Sequence, residues 1–302
     1  MRTFAAVLRP GAVSARPLPG HRLRPYHGGN GRGVAPLPRS ERQTPLQMAY
    51  EVQFGSPEPA RHTGSFILVV SHMRSFSSVL CHILGSHPEI SGYGEAQQPY
   101  RGRIDLDRLA RTVRGQIGGV PLARFVLDKI LHNHLEIAPG VLARPDVRCL
   151  FLLREPRDTV PSIVNMVRSL RHDGPLADPE QAAGYYVGRV AQIEHYSALP
   201  GLNAVFVDAA RLVDDTDAVL AGLSRWLGLA SPLLPEYRTF PLTGRPGHGD
   251  TSPNIRAGKV IKDADLRRRD QPIIPIPDAA LERASRAHAA CHAALSARCS
   301  AM

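Results

Sequence analysis

Nowhere in the 302 residues is there anything close to the roughly 18 consecutive apolar residues that a membrane-spanning helix requires, so no membrane span is expected. Cysteine is scarce. Cys81, Cys149, Cys291 and Cys299 are the only four and none makes a CxxC pair, which disfavours both a zinc site and a disulfide scaffold. Cys81 and Cys149 fall inside apolar segments and read as small buried hydrophobes. A reducing compartment suits such cysteines, so a cytoplasmic location is expected. Lysine is nearly missing: Lys129, Lys259 and Lys262 are the only three in an arginine-dominated chain. There is no GxxxxGK[ST] stretch, which argues against ATP or GTP held in a P-loop. There is no HExxH either, and no metal is expected.

The charge that is present is uneven. Residues 1–64 carry nine arginines against Glu41, Glu51 and Glu58, a net +6 out of the chain's +10. The same stretch holds nine of the 27 prolines and shows no sustained apolar period, so it is expected to be a disordered Arg/Pro-rich tail. An Arg-rich start with its first acid at Glu41 resembles an organelle transit peptide, but a solvated tail or an upstream start codon is the plainer reading. The remaining residues, 65–302, are only moderately basic. That balance suits an anionic small ligand and gives little reason to expect nucleic acid.

Order is expected to begin at Phe66-Ile67-Leu68-Val69-Val70, a continuous apolar run of the kind buried on both faces of a parallel sheet. A polar loop, residues 71–76, leads into a helix with Val79, Leu80, Ile83 and Leu84 on one side, broken at His87-Pro88. Further strands are expected at 125–127, 147–153 and 204–207, and helices at 106–117, after the loop 154–158, at 217–227 closed by Gly228, and at 278–301. Strands alternating with helices define an α/β domain with a central parallel sheet flanked by helices.

Ser71 to Ser78 place a polar loop at a helix N-terminus, where free N–H groups and the helix dipole favour an anion. Arg74 adds a bidentate donor and Ser75, Ser77 and Ser78 add hydroxyls, although a serine at a helix start is also a plain N-cap. Met73-Arg74-Ser75-Phe76-Ser77-Ser78-Val79-Leu80, followed by Ser86-His87-Pro88-Glu89-Ile90 and Gly94-Glu95, resembles the sulfotransferase superfamily. In that family a PRSGTTLL-like loop binds the 5′-phosphosulfate of 3′-phosphoadenosine-5′-phosphosulfate (PAPS). The resemblance is to the branch with tyrosylprotein and bacterial carbohydrate sulfotransferases, and it implies a P-loop-like sulfotransferase fold. Phe76 stands where the family has glycine, which is expected to leave less room for backbone to approach phosphate.

Leu153-Arg154-Glu155-Pro156-Arg157 with Ser162 looks like the family's 3′-phosphate motif, a strand-ending arginine and a serine eight residues on. Without that resemblance, Arg154, Glu155 and Asp158 read as a local ion-pair cluster at a helix start. A third, looser stretch, Ser252 to Lys259, implies nucleotide contacts from Arg256 and Lys259. The resemblance further implies Glu95 as general base and Lys129 as the cation on the sulfuryl oxygens, with Arg74 on the leaving phosphate. His132 and His134 are the runner-up bases, by likeness to the small-molecule branch. The implied reaction moves a sulfuryl group from PAPS to a hydroxyl or amine of a small-molecule or carbohydrate acceptor, releasing 3′,5′-diphosphoadenosine. Residues 99–119 and 169–182 are expected to line the acceptor pocket. A non-catalytic binder of phosphorylated nucleotides or polyanions on the same fold is the alternative that Phe76 keeps open.

Overall fold

The apolar run after Ser65 forms strand β1 (Ser65–Val70), in which every residue from Phe66 onward is buried. It is flanked in parallel by β3 (Phe125–Ile130) and β4 (Val147–Leu153), with Val70 level with Ile130 on one side and Phe151 on the other. β2 (Ile90–Ser91) lies beyond β3, and β5 (Ala204–Asp208) and β6 (Ser300–Ala301) lie beyond β4. The order is β2-β3-β1-β4-β5-β6 and every pairing is parallel, so the protein is α/β with a central parallel sheet. The computed structural model describes residues 62–170, 174–245, 248–262 and 273–302, all within the compact unit Glu58–Met302. Residues 1–61 of the expected tail lie outside the described residues.

Helices cover both faces because strand side chains alternate. Phe66, Leu68 and Val70 of β1 pack with α2 (Arg103–Gln116), α4 (Pro156–Leu170), α5 (Pro179–Ser197) and α8 (Asp278–Arg298). Ile67 and Val69 face the other way, toward α1 (Ser77–Ser86) and α7 (Thr216–Leu227). Two short helices complete the set, α3 (Pro139–Leu142) before β4 and α6 (Ala209–Asp214) after β5. From β1 the chain goes first to β2 and β3 on one side, then crosses to β4 on the other. That reversal makes the carboxyl edge of β1 the place where an open α/β sheet offers a ligand crevice.

Several boundaries differ from the sequence reading for physical reasons. β3 runs on to Ile130, because Asp128 and Lys129 find buried partners. The loop expected at 154–158 shortens, since Pro156 is tolerated in a first helical turn and α4 starts there. α5 was not legible at all. Its pattern is interrupted by Gly184 and Gly188, yet Asp178 caps it by accepting from the Gln181 N–H, with Pro179 opening the helix. Gly228 ends α7 in the left-handed conformation as expected (φ 60°), but the final helix stops at Arg298 and gives way to β6. Cys81 and Cys149 are free and fully buried, and burial pushes the Cys81 thiol up to about 12. Among the described residues, no helix is long and apolar enough to cross a membrane.

Candidate functional site

The loop between β1 and α1 is held from beneath. Ser71 Oγ donates to the Leu152 carbonyl of β4 at 2.7 Å, and Ser75 Oγ donates to the His72 carbonyl at 2.8 Å. Arg189 of α5 is fully buried, donating to the carbonyls of Ser71 and Ile130 at 2.7 Å each, so a guanidinium ties together the ends of β1 and β3. Arg74 and Phe76 both take positive φ, 62° and 66°, around Ser75. These kinks curl the loop so that the first-turn N–H groups of α1, which have no partner within the helix, border its concavity. Phe76 thus keeps the left-handed backbone that a glycine would adopt there.

The second motif meets the first. Arg74 Nε donates to Ser162 Oγ at 3.0 Å, and Arg154 Nη1 donates to the Arg74 carbonyl at 2.8 Å. The Arg154 guanidinium also lies 4.2 Å from the centre of the Phe76 ring, a cation–π contact worth about 0.5–2 kcal/mol. Its backbone is pinned on both sides: the Arg154 N–H donates to His72 Nε2 at 3.0 Å, and Tyr186 donates to the Arg154 carbonyl at 2.6 Å. Burial drives His72 down to about 3, so the ring is neutral, with Nδ1–H donating to the Met73 carbonyl and Nε2 left to accept. His72 has no role in the sequence reading, since its partner lies 82 positions away.

Lys129 and Glu95 come together from different segments. Lys129 Nζ is 3.0 Å from Glu95 Oε1 and donates to Ser78 Oγ at 3.0 Å; its side chain is 1% exposed and that of Glu95 8%. Ser78 Oγ also accepts from the Asp250 N–H at 2.9 Å. With both lone pairs engaged, the hydroxyl has its proton to offer to an anion. Gly249 has φ +107° and packs so tightly on Ser78 Oγ and Lys129 Nζ that a Cβ there would fall 2.8 Å and 3.1 Å from them.

Asp250, absent from the sequence-based site, accepts from Arg74 Nη1 at 2.7 Å and from Ser252 through both its N–H and its hydroxyl. Burial alone would raise its carboxyl, but the charge and hydrogen bond of Arg74, helped by Ser252, hold it below the usual carboxylate range. The same loop leads into a 3₁₀ turn, Pro253–Ala257, and on to Lys259.

A cavity of about 550 Å³ takes in Arg74, Ser75, Phe76, Ser77, Ser78, Glu95, Lys129, Arg154, Ser162 and Lys259 of the sequence-based site, together with Gly249, Asp250 and Ser252. His132 lines it too, while His134 is exposed and stacks on the His132 ring with centroids 5.3 Å apart. Burial lowers His132, with the nearby Glu95 carboxylate acting the other way. Arg256 is exposed, its guanidinium against Gly244 rather than among the lining residues. The expected acceptor lining needs correction. Leu170 borders the cavity, but none of residues 99–119 does, because α2 packs its apolar side into the core with Leu106, Leu109 and Val113. Among the described residues, no group of three or more His, Cys, Asp or Glu side chains could hold a metal ion.

Phe76 offers a direct test of which part of it matters. A β-branched residue is poorly tolerated at positive φ, whereas glycine is at ease there. Phe76→Val is therefore expected to melt lower than Phe76→Gly, read by thermal or urea unfolding. The reverse order would mean that side-chain bulk, and not the backbone conformation, controls stability there.

No protein-family model and no curated protein matches the chain. Solved structures do. The chain is similar to the sulfotransferase domain from the curacin biosynthetic pathway, at 16% identity and TM-score 0.49 over 75% of this chain and 98% of that one. It is similar to the sulfotransferase domain of the Synechococcus PCC 7002 olefin synthase, at 16% identity and TM-score 0.45 over 76% and 96%. A third is mouse sulfotransferase SULT7A1 complexed with PAP, at 15% identity and TM-score 0.39 over 56% and 58%.

Proposed function

We propose that this chain is a PAPS-dependent sulfotransferase, with residues 65–302 as its catalytic domain, acting in the cytoplasm on a small-molecule or carbohydrate acceptor. The observation that carries the reading is the convergence of Arg74, Arg154 and Ser162 at one sheet edge, through the 3.0 Å and 2.8 Å bonds between them. Two cationic groups and a hydroxyl there fit a doubly phosphorylated nucleotide, and the α1 N-terminus with Ser77 and Ser78 fits its second phosphate. Lys259 extends the basic rim over the same cavity.

Sulfuryl transfer, like phosphoryl transfer, proceeds through a loose in-line transition state, so positioning and charge supply most of the catalysis. Glu95 takes the proton of the acceptor hydroxyl or amine as the acceptor–sulfur bond forms. Lys129 faces the sulfuryl oxygens. The bond from sulfur to the 5′-phosphate oxygen breaks, and Arg74 with the loop donors receives the charge left on that phosphate.

Thermal shift distinguishes the nucleotide. At one hundred times its dissociation constant, 3′,5′-diphosphoadenosine should stabilise the protein by about 2.7 kcal/mol, and ATP by much less. A larger shift with ATP would overturn the assignment. Transfer itself is read with ³⁵S-labelled PAPS against sugar, phenol and amine acceptors.

A further inference from the structure

Asp128 is a buried carboxylate, 1% exposed, one residue before Lys129. Alternation along β3 sends the two side chains to opposite faces, yet both reach the same short segment. Lys129 takes the carboxylate of Glu95, and Asp128 takes the next peptide: the Ala96 N–H donates to Asp128 Oδ1 at 2.7 Å. The other Asp128 oxygen accepts a short hydrogen bond from the Tyr100 hydroxyl. Tyr100 is itself fully buried and fixed through its backbone, its N–H donating to the Glu136 carbonyl at 2.8 Å and its carbonyl accepting from Ala138 at 2.7 Å. Two consecutive residues of β3 therefore clamp two consecutive residues of the loop that carries Glu95. Within that loop a Cβ on Gly94 would meet nothing within 4 Å, and Gln97 sits at φ 51°.

We propose that Asp128, backed by Tyr100, is a positioning residue for sulfuryl transfer: it fixes the Glu95 peptide against Lys129 so that the carboxylate meets the acceptor. The proposal rests on the sulfotransferase reading and adds to it a residue that touches neither nucleotide nor acceptor. Its burial is kept for function rather than for folding. Burial pushes the Asp128 carboxyl up to about 6, against the lowering effect of Tyr100 and the Ala96 N–H. The other ionisable groups facing it are Glu95 from the loop, Lys129 beside it, and Cys81 of α1. A carboxyl that holds its proton more tightly folded than unfolded stabilises the fold below about 4 and loses that stabilisation as pH rises through about 6. An ionised Asp128 at neutral pH thus works against stability.

Asp128→Leu keeps the branching at Cγ, adds bulk, and removes both hydrogen bonds. With ³⁵S-labelled PAPS and the mixed acceptors, it is expected to lower kcat roughly ten- to hundredfold while the Kd for 3′,5′-diphosphoadenosine stays within about twofold. Asp128→Asn offers Ala96 an acceptor and Tyr100 a donor. It should recover most of that loss and melt at or above the wild type at pH 7.5, a margin that closes as pH falls from about 6 to about 4. Tyr100→Phe removes one hydroxyl without emptying the core and should show the same split between kcat and Kd, smaller in size. Wild-type kcat in Asp128→Leu and Tyr100→Phe would overturn the proposal, as would nucleotide affinity falling in step with kcat. A wild type that binds the diphosphate but transfers to no acceptor would instead overturn the reading on which the proposal stands.

Discussion

Lys129→Met is expected to bring transfer to background and to lower the melting temperature more than any other single change at the site. The substitution leaves the Glu95 carboxylate buried beside Ser78 without its cation, and removing one partner of a buried pair costs about 3–5 kcal/mol. At about 2–4 °C per kcal/mol for a domain of this size, the drop is roughly 6–20 °C. Glu95→Gln should be gentler on the fold, because Lys129 keeps its hydrogen bond to Ser78, but it should cost about 10²–10⁴-fold in transfer as a lost general base. The double variant Glu95→Gln with Lys129→Met should regain much of the stability and none of the activity. A double-mutant cycle by calorimetry and ³⁵S transfer reads both. Unchanged turnover in Glu95→Gln would remove it as base and move that role to His132, which shares the cavity.

Arg154→Ala is expected to weaken binding of 3′,5′-diphosphoadenosine by roughly thirtyfold or more while leaving 5′-AMP nearly untouched. Losing one member of a desolvated charge pair costs about 2–5 kcal/mol, and each 1.4 kcal/mol is tenfold. The preference follows from the proposed roles, in which Arg154 and Ser162 take the 3′-phosphate and Arg74 with the α1 loop takes the 5′ one. Arg154 is also held by His72, Tyr186 and Phe76, which places its guanidinium before any ligand arrives. Isothermal titration of both nucleotides decides the matter. Equal losses for the two would mean that Arg154 supports the cleft generally and does not distinguish the 3′-phosphate.

Much of this architecture is local in sequence and therefore readable there. Ser71 to Ser78 and Arg154 to Ser162 are each a strand end, a turn and a helix start, and short stretches of that kind declare themselves through period and polarity. The same holds for β1, β4 and the Gly228 stop. What escaped was long-range. Asp250 reaches Arg74 across 176 positions and Tyr100 reaches Asp128 across 28, and nothing in an isolated Asp announces such a partner. α5 escaped for a different reason. Tyr186, Arg189 and Tyr196 are buried by contacts with the sheet edge and α8, so its helical pattern depends on tertiary packing and not on a clean apolar stripe. Phe76 was readable as a departure but not in its consequence, because the backbone conformation it preserves is invisible in the residue name.

The carboxylate of Asp250 on Arg74 makes this cleft an ion exchanger more than a trap. An incoming phosphate meets a guanidinium that already has a counterion built into the chain, so docking swaps or shares an anion and does not neutralise a bare charge. On the proposed reading such a site is expected to disfavour small inorganic anions, which would have to match a tethered competitor at high effective concentration, and to favour a ligand anchored through two phosphates.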